Sequence, residues 1–325
     1  MTSRSISRAS MILGALLSLL GIAAPAEAEV YPNKPIHLIS PFAAGVSTDV
    51  LARALAQKLT EYLGQPVIVE NRPGANGIIG ASYVAKSAPD GYTFLITTGS
   101  HTANPHVSKD VPYDALKDFT PITQLAGSYG LVLLSNLPVD SVASLVTLAK
   151  SKPGQLTYST SGVGNLTHVA GRLLEARAGI KMIAVPYNNS ALIPDTIAGT
   201  VDMTFISSVS AVPLVKGGQL KALAVTGTKR APALPDVPTF QEAGIKNYDL
   251  TGYFGILFPA NTPADRVDRL YQAAVKALAA PELKSIIETA GLFAVGSNPA
   301  EFGEFLKQDF DYQGRLINEL DMKIK

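Results

Sequence analysis

IHLISPFAAGVSTDVLARALAQKL, residues 36–59, decides the fold. Ile36–Ser40 is an apolar run of strand length that passes directly into Pro41-Phe42-Ala43-Ala44-Gly45-Val46-Ser47-Thr48-Asp49. Beyond this corner Leu51, Ala54, Leu55, Leu59 and Tyr62 keep the i, i+3, i+4 spacing of one helical face. The spacing predicts a helix over Val50–Leu63, stopped at Gly64. A strand that feeds a helix through a short loop is the repeating unit of an α/β sheet. The corner also sets a helix N-terminus, with unpaired N–H groups and partial positive charge, at the carboxyl end of a strand, where such sheets hold ligands. Asp49, in the first turn, complements that dipole, and Ser47 or Thr48 is the expected N-cap.

The unit recurs. Val67–Glu70 reads as a strand, Arg72–Gly77 as a turn-rich loop and Ile78–Lys86 as a helix. Thr93–Thr97 is a third strand, followed by a loop over Thr98–Asn104. Three loops are therefore expected at one sheet edge. The pattern then restarts with an apolar run at Leu131–Leu134, a helix at Val142–Ser151, a strand at Leu156–Thr160, a small-residue loop at Ser161–Asn165 and a helix at Leu166–Ala178. Further strands are expected at Met182–Pro186, Asp202–Ile206, Leu220–Val225 and Tyr253–Phe258. Thr262-Pro263 reads as an N-cap with Pro at N1, opening a helix through Ala280. Two more helices, without strands of their own, are expected to pack on the first lobe. The expectation is two α/β lobes, 29–128 with 251–325 and 129–250, joined by two crossings and closing like a hinge on a ligand.

The 325 residues carry a formal net charge of +1, no long basic run and no Cys, which excludes disulfides and thiolate sites and gives no footprint for nucleic acid. Arg4 and Arg8, the apolar stretch Met11–Ala24 and the small-x-small run Ala26-Glu27-Ala28 read as a signal peptide, 1–28, cleaved after Ala28. That places the mature chain in a periplasm. There is no G-x-S-x-G, S-x-x-K or Walker A sequence, and the four His show no metal spacing. No cofactor and no metal are expected. Two small-residue loops at helix starts instead suit anion seats, one in each lobe, built from backbone N–H groups and hydroxyls. Arg72 is the nearest candidate cation. An enzyme using His101 or His168 with Asp49 is the alternative reading, and a ligand-binding partner of a membrane sensor a third.

Several motifs occur together. Pro41-Phe42-x-x-Gly45-x-x-Thr48-Asp49, Val69-Glu70-Asn71-Arg72-Pro73-Gly74-Ala75-x-Gly77, Ala88-Pro89-Asp90-Gly91-Tyr92-Thr93, Val185-Pro186-Tyr187 and Ala233-Leu234-Pro235-Asp236-Val237-Pro238-Thr239 run in one order along the chain. The sequence resembles the Bug family of extracytoplasmic solute receptors, the binding component of tripartite tricarboxylate transporters. That resemblance implies a type II periplasmic binding protein, monomeric, closing on a small carboxylate and delivering it to inner-membrane transporter subunits. It implies a first seat at Ala44, Ser47, Thr48 and Asp49, with Phe42 beside it, and a second at Ser161, Gly164, Asn165 and His168. Thr98, Ile206 and Ser207 are expected to complete the site.

The chain departs from the family loop at Ala43, Ala44 and Val46, and has Ile206 where an Asp is frequent. If Ile206 faces the cleft, it disfavours an amino-acid ligand and favours a dicarboxylate with an apolar aliphatic or aromatic middle. Otherwise it is a core residue.

Overall fold

The structure, a computed structural model, describes residues 31–160, 165–187 and 191–322. Its first strand, β1 (Ile36–Ser40), enters helix α1 (Ser47–Leu63), whose Leu51, Leu55 and Leu59 are buried against the sheet. Gly64 closes the helix at φ 72°, a left-handed conformation that glycine adopts without a Cβ clash, and its N–H bonds the Thr60 carbonyl. Then come β2 (Val67–Asn71), α2 (Ile78–Ala85), β3 (Thr93–Thr98), α3 (Ser100–Val107) and β4 (Phe119–Ser128).

After a short crossing the chain builds β5 (Leu131–Ser135), α4 (Val142–Ser151), β6 (Thr157–Thr160), α5 (Leu166–Ala178), β7 (Ile183–Pro186), α6 (Leu192–Ala198), β8 (Met203–Ser207), α7 (Ser208–Lys216) and β9 (Lys221–Val225). It returns through β10 (Tyr253–Pro259), α8 (Ala264–Leu278), α9 (Pro281–Thr289), β11 (Leu292–Ala294) and α10 (Pro299–Glu319).

Two sheets result. The six-stranded one has the order β11-β4-β10-β3-β1-β2, and the five-stranded one β7-β6-β8-β5-β9. β1 runs parallel to β2 and β3, and β6 parallel to β7 and β8. Each sheet also holds one antiparallel strand that arrives straight from a crossing: β5 between β8 and β9, and β10 between β3 and β4. This is the two-lobed α/β architecture of type II periplasmic binding proteins. Each crossing is thereby locked into a sheet through a strand paired on both sides. The core of the six-stranded sheet includes Leu38, Phe94, Ile96, Ile256 and Phe258, and that of the five-stranded sheet Leu133, Tyr158, Phe205, Phe240 and Tyr248.

Four local expectations need correcting. Thr98–Asn104, read as loop, gives way at Ser100 to helix α3, which runs to Val107. The N-cap of α1 is Val46, without a side-chain cap, rather than Ser47 or Thr48. Thr262 does not cap α8, because the N-cap there is Pro263, and the Thr262 hydroxyl donates to the Pro259 carbonyl at 2.8 Å. The tail is not purely helical and does not stay with the first sheet. β11 pairs antiparallel with β4, and the end of α10 sends Leu316, Ile317, Leu320 and Met322 into the core of the five-stranded sheet.

Candidate functional site

The two crossings lie side by side. The Ser128 hydroxyl accepts the Gly130 N–H at 2.9 Å and the Gly252 N–H at 3.1 Å. Thr226 repeats the device: its hydroxyl donates to the Leu250 carbonyl at 2.6 Å and accepts the Leu131 N–H at 2.8 Å. A cavity of about 270 Å³ opens beside these strands, between the sheets.

Four helices begin at the cavity wall, two from each sheet. Ser47 opens α1, Ser100 opens α3, Asn165 caps α5, and Ser207 caps α7. Asn165 Oδ1 accepts the Thr167 N–H at 3.1 Å, and the Ser207 hydroxyl accepts the Ser210 N–H at 3.4 Å. Thr98 Oγ1 lies 3.1 Å from Ser100 Oγ. Asn76 reaches the cavity from the loop after β2; its Nδ2 donates to Asn104 Oδ1 at 2.9 Å, and Asn104 Nδ2 donates to the Asn76 backbone carbonyl at 3.1 Å. Among the described residues no Asp, Glu, Lys, Arg or His lines the cavity. An anion there meets helix dipoles, hydroxyls and amides rather than a counter-charge.

Of the residues expected at the site, the cavity brings together Phe42, Ser47, Thr98, Asn165 and Ser207. Ala44 is exposed outside its lining, and Thr48 is buried beneath the loop. Asp49 is 3% exposed and turned inward. It accepts from the Gly45 N–H at 2.9 Å, Arg53 Nε at 2.9 Å and Asn71 Nδ2 at 2.8 Å. Burial works to raise its pKa, but the Arg53, Gly45 and Asn71 hydrogen bonds outweigh burial and hold it down to about 2. Asn71 also donates to the Phe42 carbonyl at 3.1 Å, so this cluster pins the β1–α1 corner to the end of β2.

Ile206 is not a lining residue. It is buried on the other side of β8, in an apolar cluster with Val132, Leu134 and Ala211. Its expected bearing on the ligand falls with that position. His168, on α5, is half-buried and away from the lining, and burial followed by the nearby Arg172 charge lowers its pKa. His101 is 2% exposed, with Nε2 2.8 Å from the Ala115 carbonyl and its ring stacked on Tyr113. Arg72 pairs with Glu70 at 3.1 Å and stacks on Tyr83 at 3.6 Å, outside the cavity lining. Ser161 and Gly164 lie outside the described residues, as do residues 1–30 with the expected signal segment.

The sequence reading missed Asn76, Ser100, Ser128, Thr251, Tyr253 and Gln313 in the lining. The positive φ of Asn76, 53°, belongs to the Gly-Ala-Asn-Gly turn that was legible as a loop. Gln313 carries no such signal.

Paired α/β sheets with a cavity between them, reached by helix N-termini from both sides, define a solute receptor of the periplasmic binding class. Residues 51–322 match the tripartite tricarboxylate transporter family receptor, and the chain belongs to that family. It is 31% identical to protein BugT of Bordetella pertussis over 99% of this chain and 100% of BugT. Among solved structures, R. palustris Rpa4515 with adipate is 33% identical, with a TM-score of 0.80 over 90% of this chain and 99% of that one. MatC from Rhodopseudomonas palustris with bound malate is 26% identical, with a TM-score of 0.76 over 88% of this chain and 100% of MatC.

Proposed function

We propose that the protein is a periplasmic receptor for a small dicarboxylate with an apolar aliphatic or aromatic middle, which it delivers to inner-membrane subunits of a tripartite tricarboxylate transporter. One observation carries this reading: four helix N-termini, two from each sheet, reach a single cavity that has no charged side chain among its described lining residues. Each pair offers backbone N–H groups and partial positive charge to one carboxylate. Adipate and malate, bound in two similar structures, each carry two carboxylates.

In this reading Ser47, Thr98 and Ser100 hold the carboxylate on the first lobe, and Asn165 and Ser207, with Ser161 and Gly164, hold the one on the second. Thr48, Asp49 and His168 support the seats from behind. The lobes are 29–128 with 251–325, except that the end of α10 docks on the other lobe, and 129–250, and they close about the crossings at Ser128–Gly130 and Leu250–Gly252. Capture without turnover agrees with the engagement of His101 and Asp49 elsewhere.

A thermal-shift and calorimetric screen of C4 to C8 aliphatic and benzene dicarboxylates tests the reading. A binder is stabilised by RT ln(1 + [L]/Kd) and releases its ligand unchanged. No shift with any of these acids, from a folded protein, overturns it, and a chemically altered ligand makes the protein an enzyme. Loss of uptake of the identified acid after gene deletion tests the transport step.

A further inference from the structure

The cavity is not uniform. Its polar lining gathers at the helix starts, whereas one flank is walled by Ala103, Val107, Leu166, Val169, Ile317 and Met322. Ala103 and Val107 stand one turn apart on α3, and Leu166 and Val169 one turn apart on α5, so each pair faces the same way. Ile317 and Met322 come from the end of α10 and just beyond it. Ala103, Val107 and Leu166 are only partly buried, while Val169, Ile317 and Met322 are 6% exposed or less. The flank is thus a recess with a closed floor and apolar sides still open to solvent.

The floor is fixed in place. Leu316 and Leu320 anchor the end of α10 in the core of the five-stranded sheet, and the Tyr312 hydroxyl donates to the Asp249 carbonyl. Arg177 pairs with Glu319 through two hydrogen bonds, one of them 3.0 Å. The six walls offer no side-chain donor or acceptor. A hydroxyl or amine placed among them would lose its water without gaining a partner, whereas a hydrocarbon surface would be stabilised by leaving water.

We infer that the recess takes the carbon framework of the ligand and selects one that is bulky and apolar, a ring or a branched chain, against hydroxylated and aminated acids. Ala103, Ile317 and Met322 determine that specificity. The inference rests on the carboxylate reading above and adds which acids the receptor prefers and which side chains choose them.

Calorimetry on the mature chain with benzene-1,4-dicarboxylate, adipate and malate tests it. The unsubstituted protein should prefer the ring or the alkyl chain to malate by about tenfold or more. Ala103→Leu, which fills the recess, should cost the ring ligand about tenfold and malate much less. Met322→Ala, which deepens the floor of the recess, should shift the preference towards the larger framework. Equal changes for all three acids in both variants, or a preference for malate in the unsubstituted protein, would overturn the inference while leaving carboxylate capture intact. Failure of a folded protein to bind any of the three removes the carboxylate reading and this inference with it.

Discussion

The Ser128 hydroxyl accepts from the Gly252 N–H at 3.1 Å, so a side chain on the outgoing crossing holds the backbone of the returning one. The same oxygen accepts the Gly130 N–H. Ser128→Ala leaves two backbone donors at the hinge without this partner. The variant should lose about 1–2 kcal/mol of stability by denaturant titration, and small-angle scattering of the unliganded protein should show a broader spread of lobe separations. An unchanged scattering profile and stability would show that the crossings do not depend on the clamp.

Asp49→Asn tests the corner beneath the first seat. The carboxylate is held to a pKa of about 2 in the fold, below its ordinary value. Its stabilising contribution is complete above pH 4 and is lost as pH falls towards 2. It is worth about 2 kcal/mol. The variant should therefore be less stable than the parent at pH 7 and approach it at pH 2. A constant difference at all pH values would deny the linkage.

Ser47 and Thr48 are adjacent but not equivalent. Ser47 lines the cavity, whereas Thr48 is 6% exposed and outside its lining. Ser47→Ala should weaken carboxylate binding by roughly 1 kcal/mol through loss of a donor, and Thr48→Val should act mainly on stability. Calorimetry with one bound acid separates the two, and the reverse ranking would relocate the seat.

His101 is a pH liability within the six-stranded lobe. Burial lowers its pKa to about 4, against the opposing bond to the Ala115 carbonyl, and Nδ1 has no hydrogen-bond partner among the described residues. The neutral ring is tolerated, but a proton is not. Below pH 6.5 the unfolded chain takes up that proton first, so stability falls between pH 6.5 and 4 by about 3 kcal/mol from this group. His101→Phe keeps the packing against Tyr113 and Phe119 and should flatten that part of the pH–stability curve, even if its stability at pH 7 is lower.

Gly291 precedes β11 at φ 71°, and a Cβ there would collide with the hydroxyl of Ser208, the first residue of α7 on the other lobe. Gly291→Ala should reduce ligand affinity by obstructing this approach as well as straining the backbone. Adding Ser208→Ala removes the closest contact but neither the strain nor the approach to Val209 Cγ2 at 3.2 Å, so affinity should recover in part while part of the stability loss remains. No recovery would assign the whole effect to the backbone.

Much of the fold was legible because strands and helices alternate in apolar runs of distinct period. The helices Val142–Ser151 and Leu166–Ala178 end where their spacing and following Gly or Lys-Pro-Gly indicate. β4 was not legible: Phe-Thr-Pro-Ile-Thr-Gln-Leu-Ala-Gly-Ser breaks its apolar pattern with Pro121 and Gly127, and its place comes from β10 and β11 on either side. α3 was hidden by its Ser, His, Thr, Asn and Pro105, which reduce its apolar stripe to the single pair Ala103 and Val107. The orientation of Ile206 could not be read at all, since Met203–Ile206 is buried on both faces and a doubly covered strand loses its period of two. The inward turn of Asp49 depends on Asn71, on another strand. Local spacing therefore found the helix N-termini at Ser47 and Asn165, but neither those at Ser100 and Ser207 nor which side chains the fold itself consumes.

β10 has a consequence for the order in which the chain assembles. It lies between β3 and β4, so the six-stranded sheet has a gap at its middle until Tyr253–Pro259 arrives. The strands of the five-stranded sheet all fall within Leu131–Val225, and they can pair without the ends of the chain. Closing the longer loop is the slower event. The strands of the second lobe are thus able to pair early, although the end of α10 joins their core last, and the seat at Ser47, although first in sequence, is completed only when the last quarter of the polypeptide is in place.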